Sequence, residues 1–161
     1  MKKVLIPEKD VKIINDAAMQ ELTASHMYRN LSAQCKCLGL FGASKFFDTE
    51  SQSEISHYKQ HEEFMNDRGL CITSPQIESQ NIRIDSLKKA LMIAYNAEQT
   101  LGELYAKWYM TATVPTQIHL LEFVKIQTKS TGEYGDLLAR LELIQDDPCG
   151  IIILDQELGK D

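Results

Sequence analysis

The sequence predicts an all-α protein: a four-helix bundle with one long crossover loop and a short fifth helix at its C-terminal end. Three observations lead to this prediction. Apolar residues recur at steps of three and four along four long windows. The four prolines and eight glycines cluster between those windows. Only "IIIL" (151–154) resembles a strand, and one isolated strand has no partner.

Proline, glycine and capping residues set the predicted boundaries of each helix. Pro7 lies just inside the first helix and a glycine follows its end, which is the usual asymmetry. Asp85 or Ser86 is expected to cap the third helix, and Pro115 to start the fourth. The predicted helices span about 7–38, 42–68, 86–113, 115–145 and 151–159.

The lengths of the connections predict the topology. The first and third connections are short, so the helices that they join are antiparallel neighbours. The segment 69–85 is polar, contains Pro75, and is long enough to run the length of a bundle. All 161 residues are expected to form a single domain, 1–161, with the bundle over about 7–145.

Composition excludes several functions. Lys and Arg number 17 against 23 Asp and Glu, so the net charge of −6 opposes binding to nucleic acid or an anionic membrane. No apolar run approaches the ~20 residues of a membrane span, and "MKKVLIPEKD" is too short for a signal-peptide core. The four cysteines form no C-x-x-C pair and are expected to be free thiols. A cytoplasmic location is therefore predicted.

The inward stripe of each long helix carries a polar residue near its middle. These residues are Glu21 on the first helix, Glu54 and His57 on the second, Glu98 on the third and Gln127 on the fourth. A buried carboxylate is costly unless it is paired or binds a metal. The stripes offer no Lys or Arg at this level. The sequence therefore predicts a metal site inside the bundle.

Glu54-x-x-His57 is the most informative local motif. Residues i and i+3 lie on one helix face, about 4.5 Å apart along the axis, so one helix can offer both ligands to one ion. Carboxylate oxygens with an imidazole suit iron or manganese. Di-iron carboxylate bundles combine such a motif with glutamates from other helices.

Over almost its whole length the sequence resembles the non-haem ferritins, within the ferritin-like di-iron family. The resemblance lies in "QELTASHMYRNLSA", "GLFGASKFF", "ESQSEISHYKQHEEFMNDRG", "FVKIQ" and "ILDQELG". It implies that Glu21 and His57 bind a first iron, that Glu54 bridges two irons and that Glu98 binds the second.

The resemblance also assigns roles to two neutral residues. Gln127 matches a glutamine that borders the second iron. Tyr28 matches a tyrosine that hydrogen-bonds at the centre, although plain core packing is an alternative for it.

The same resemblance implies a ferroxidase that oxidises Fe2+ with O2 or H2O2 and stores Fe(III) as mineral. It further implies a homo-oligomer, a cage of 24 subunits, with the tail helix at a symmetry axis. Ile55 stands where bacterioferritins carry their haem-ligating methionine, so no haem is expected. Carboxylates of a third iron site are replaced at Ser53, Ile126, Lys129 and Ser130, and mineral-seeding carboxylates at Ser53, Ser56 and Lys59.

Other interpretations stay open at this point. The centre fits a di-iron redox enzyme or a detoxifying metal buffer with little mineral storage, and a helical interaction bundle without metal is a third alternative. Glu50 is expected either to relay iron or to be solvated. The remaining histidines, His26, His61 and His119, are expected to be exposed or hydrogen-bonded rather than ligands.

Overall fold

Five α-helices make up the computed structural model, which describes residues 2–160, and no strand occurs in that range. The helices are α1 Glu8–Cys37, α2 Phe41–Asp67, α3 Leu87–Thr111, α4 Val114–Ile144 and α5 Pro148–Leu158. The predicted all-α fold, a four-helix bundle with a short fifth helix, is confirmed. None of the described helices is both long and apolar enough to cross a membrane.

The tail helix begins at Pro148, earlier than the predicted residue 151. The carboxylate of Asp147 accepts a hydrogen bond from the backbone nitrogen of Gly150 at 2.8 Å, and Pro148 takes the first helical position. The "DDPCG" segment therefore starts α5 instead of only ending α4, because an aspartate cap followed by proline is a strong start signal. The helix break itself lies at Gln145, which has a φ of 55°.

The crossover 68–86 leads into α3. Of the two predicted caps, Asp85 and Ser86, the structure shows Ser86. Its side chain accepts from the backbone nitrogen of Lys89 at 3.3 Å. Short connections pair α1 with α2 and α3 with α4. Because the crossover carries the chain back along the bundle, α1 and α3 run antiparallel.

Two apolar clusters fill the bundle, one toward each end. Tyr28, Phe47 and Leu91 belong to the cluster that also contacts α5. Ile14, Tyr105 and others belong to the opposite cluster. The polar residues of the inward stripes lie between these clusters along each helix.

Helix α5 is attached to the start of α2 by Asp155. Its carboxylate accepts from the backbone nitrogens of Gly42 at 3.0 Å and Ala43 at 2.8 Å, so it caps a helix distant in sequence. A Cβ at position 42 would lie 1.7 Å from the backbone oxygen of Asp155, so the contact requires glycine. The tail thereby fixes the position of the helix that carries Glu54 and His57.

Candidate metal centre

Glu21 from α1 and Glu54 and His57 from α2 converge in the middle of the bundle. All three are buried, and each offers a ligand atom within 4.8 Å of the others. His57 Nδ1 lies 2.8 Å from Oε2 of Glu54 and 3.3 Å from Oε2 of Glu21. No other group of three or more His, Cys, Asp or Glu ligands with this spacing occurs in residues 2–160. The predicted E-x-x-H motif thus faces the predicted carboxylate of α1.

Glu98 lies outside this group of three but is also buried. The Tyr28 hydroxyl donates to its Oε1. In the orientation that its surroundings favour, the Gln127 amide donates to Oε2 of Glu98 at 2.6 Å and to its backbone oxygen at 3.2 Å. The sequence-predicted residues of α1, α3 and α4 therefore meet around this second carboxylate.

The pKa values of these groups report a surplus of buried negative charge. Burial, with the charge of Glu21, raises the pKa of Glu54 to about 8 against the opposing effect of His57. Burial and the charge of Glu54 raise the pKa of Glu98 to about 8. Burial alone would lower the pKa of His57, but its hydrogen bonds to the two carboxylates raise it to about 10.

A cation would relieve this repulsion. Among residues 2–160 the only ion pairs formed by Glu21 and Glu54 are with histidines, and none is with Lys or Arg. Glu50, half-buried one turn before Glu54, has a pKa raised to about 7 by burial and by the charges of Glu54 and Glu133. Buried carboxylates without a basic partner are the usual environment of a bound metal ion.

Tyr105 is the contact that the sequence did not reveal. Its hydroxyl donates to Oε1 of Glu21. The heptad pattern places it on the inward stripe of α3, seven residues after Glu98, just as Tyr28 follows Glu21 on α1. That repeated spacing is the signal from which it could have been found.

The remaining histidines are exposed or hydrogen-bonded to neighbouring side chains. His26 is exposed. His61 is buried, with Nε2 2.8 Å from the Tyr105 hydroxyl and Nδ1 2.9 Å from Nε2 of His119. Burial, followed by the charge of His57, lowers the pKa of His61 to about 3. Burial, followed by neighbouring His61, lowers the pKa of His119 to about 3.

Carboxylate oxygens and an imidazole nitrogen that meet inside a long-helix bundle are typical of metal-binding carboxylate bundles. The family described as Ferritin, with a ferritin-like domain, matches residues 11–144. The chain belongs to this family, and the predicted resemblance to non-haem ferritins is confirmed.

Relatives cover nearly the whole chain. The probable bacterial non-heme ferritin-like protein of Haemophilus influenzae is 24% identical over 159 residues, 96% of each chain. The ferritin of Pacifastacus leniusculus is 28% identical over 162 residues, covering 93% of this chain and 87% of the relative. An open pore ferritin from Archaeoglobus fulgidus superposes with a TM-score of 0.94 at 23% identity, covering 97% of this chain and 99% of that one. This last likeness shows the fold.

Proposed function

We propose that this protein oxidises Fe(II) at a di-iron centre inside its bundle and stores the Fe(III) as mineral inside a cage. The observation that carries the proposal is the buried group Glu21, Glu54 and His57, with Glu98 held nearby by Tyr28 and Gln127. Membership of the ferritin-like domain family supports iron as the metal and storage as its purpose.

In this proposal Glu21 and His57 bind the first iron, Glu98 binds the second, and Glu54 bridges them. Gln127 and Tyr28 border the second iron and orient Glu98. Two Fe(II) ions supply two electrons, each becoming Fe(III), and with two protons from water these electrons convert O2 to H2O2, or H2O2 to two water molecules. Fe(III) then leaves for the mineral.

Binding of Fe(II) must displace protons from these ligands. The pKa values of Glu54 and Glu98 are raised to about 8 and that of His57 to about 10, so the metal-free group as a whole holds protons near neutral pH. Two positive charges replace those protons when a ferrous ion binds. Iron uptake is therefore expected to release protons.

A homo-oligomeric cage of 24 subunits, located in the cytoplasm, belongs to the same proposal. Ile152 and Ile153 of α5 are each 56% exposed, and Leu143 of α4 is 86% exposed. Apolar side chains with this exposure suit burial between subunits. The solved ferritins of Archaeoglobus fulgidus are described as an open pore form and an engineered closed form, which fits a hollow shell.

Aerobic Fe(II) titration tests the site. Glu54→Ala and His57→Ala should each slow oxidation, because each removes a ligand from the buried group. Glu63→Ala is the matched control, since Glu63 is exposed on the same helix. Equal oxidation rates in the wild type and both site variants would refute the assignment.

A di-iron redox enzyme or metal buffer with little storage is the second candidate. Exposed Ser53, Ser56 and Lys59 favour it, because they place no carboxylate on this surface of α2. Iron content discriminates the two functions. Hundreds of iron ions per particle indicate storage, whereas two per chain indicate an enzyme or buffer.

A further inference from the structure

Two tyrosines form hydrogen bonds that cross between helices α1 and α3. Tyr28 follows Glu21 by seven residues on α1, and Tyr105 follows Glu98 by the same interval on α3. Because the helices are antiparallel, Tyr28 donates to Oε1 of Glu98 while Tyr105 donates to Oε1 of Glu21. Each carboxylate thus has one oxygen occupied by a phenol from the facing helix.

The Tyr105 side continues into two histidines. His61 Nε2 lies 2.8 Å from the Tyr105 oxygen, and His61 Nδ1 lies 2.9 Å from His119 Nε2. Phe123 stacks on the His61 ring with 4.2 Å between centroids, and Phe64 stacks on the His119 ring at the same distance. These aromatic contacts hold both imidazoles in the planes that their hydrogen bonds need.

The available donors and acceptors fix the direction of these hydrogen bonds. Tyr105 has one hydroxyl hydrogen, which goes to a carboxylate oxygen that can only accept. Its oxygen therefore accepts from Nε2–H of His61, which leaves Nδ1 of a neutral His61 as an acceptor. His119 then donates through its own Nε2–H. Each hydrogen in this series points toward Glu21.

We propose that Tyr105, His61 and His119 form a positioning chain that holds Oε1 of Glu21 in a hydrogen bond and leaves Oε2 to face the metal. The inference rests on the proposed function, in which Glu21 is an iron ligand. Oε2 lies 3.3 Å from His57 Nδ1, on the side of the other two candidate ligands. His61 itself is 3.9 Å from Oε1, too far for a direct hydrogen bond, so Tyr105 is the link.

His119 has a specific part in this chain. With its donor in place, Nδ1 of His61 must accept and Nε2 must carry the hydrogen. Without that donor, His61 is free to carry its hydrogen on Nδ1, and Tyr105 can then turn its hydroxyl to Nε2 of His61. Glu21 would lose its hydrogen bond by this change of tautomer.

Calorimetric titration of the full-length, metal-free protein with Zn2+, which needs no oxidation, tests the chain. Tyr105→Phe removes one oxygen and should weaken Zn2+ binding roughly 10- to 100-fold, the usual effect of losing a hydrogen bond to a ligand, at unchanged stoichiometry. Tyr95→Phe is the matched control, because Tyr95 lies on the same helix and, among the described residues, its hydroxyl accepts only from the exposed Gln99, at 3.1 Å. It should bind Zn2+ like the wild type.

A double-mutant cycle tests the direction of the chain. His119→Phe keeps a ring for stacking and removes the donor, so it should weaken Zn2+ binding in the wild-type background. It should have no further effect in Tyr105→Phe, because both changes act through the same hydrogen bond. An equal loss in both backgrounds would overturn the role of His119.

A crystal structure with Zn2+ distinguishes a positioning role of Tyr105 from a role in packing alone. Glu21 should bind through Oε2 alone in the wild type and should change its mode of binding in Tyr105→Phe. Unchanged affinity and binding mode in Tyr105→Phe, even with lower thermal stability, would overturn the inference and leave the proposed centre intact. Zn2+ binding that is unaffected by Glu54→Ala would instead refute the centre itself.

Discussion

Replacing Glu54 with glutamine is expected to stabilise the metal-free protein and to abolish its stabilisation by metal. Glutamine has nearly the same shape but no charge. Burial raises the pKa of Glu54 from 4.5 to about 8, so folding favours the protonated form. A raised pKa in the folded state contributes stability that is fully present below pH 4.5 and is lost as pH rises toward about 8. Near neutral pH, the ionisable carboxyl of Glu54 therefore destabilises the folded state, whereas the uncharged amide of glutamine does not.

The magnitude follows from the pH interval. At about pH 7.5, retaining the proton costs roughly 4 kcal/mol, from ~1.4 kcal/mol for each pH unit above 4.5. The hydrogen bond to His57 is already part of that pKa, but the buried amide has weaker hydrogen bonds than the carboxyl, which offsets about 2 kcal/mol of this. The net gain of about 2 kcal/mol corresponds to a melting temperature higher by roughly 4 to 8 °C.

Thermal denaturation of metal-free and Zn2+-loaded protein measures both effects. Zn2+ at a hundredfold excess over its dissociation constant should stabilise the wild type by about 2.7 kcal/mol and Glu54→Gln hardly at all. Glu63→Gln, exposed on the same helix, should behave like the wild type in both states. A metal-free Glu54→Gln that melts below the wild type, yet still gains full stability from Zn2+, would refute this account of the buried charge.

Three further predictions concern the tail, pH and the surface of α2. Asp155→Asn should lower the melting temperature by about 2 to 4 °C, because it weakens two hydrogen bonds to the start of α2. The control is Asp136→Asn, which changes an exposed aspartate and should melt like the wild type. In metal-free wild type the free energy of unfolding should fall between about pH 6.5 and 8, because the raised pKa values of Glu54 and Glu98 act there without the opposing effect that the lowered pKa values of His61 and His119 have below pH 6.5. Zn2+ affinity should rise over the same interval. Denaturation and calorimetry at both ends measure this, and a flat profile would contradict the raised carboxyl pKa values. A triple variant that replaces Ser53, Ser56 and Lys59 with glutamate should retain more iron per particle in loading assays, at an unchanged initial oxidation rate. Unchanged iron retention would argue against mineral seeding at this surface.

Much of the fold was predictable because its signals are local. Helical periodicity, together with proline and glycine between the windows, predicts four long helices and the crossover. The start of α5 was misplaced because "DDPCG" contains both a helix break and an aspartate cap, and the sequence does not say which residue serves which role. The backbone at Gln145 and the Asp147 cap decide it.

The candidate metal centre was likewise predictable only in part from the sequence. Glu54 and His57 are neighbours on one helix face whatever the tertiary structure, and the heptad pattern alone places Glu21 and Glu98 in the middle of their stripes. Their meeting, and the crossed hydrogen bonds of Tyr28 and Tyr105, depend on the antiparallel arrangement of α1 and α3.

The sequence by itself determined which residues turn inward, because a helix repeats every 3.6 residues. Only the tertiary structure decided which oxygen of Glu21 is hydrogen-bonded by Tyr105 and which faces His57. It also decided that Asp155 caps α2. Contacts between helices depend on their rotation and axial offset, which are set by the packing of all side chains together and by no single stretch of sequence.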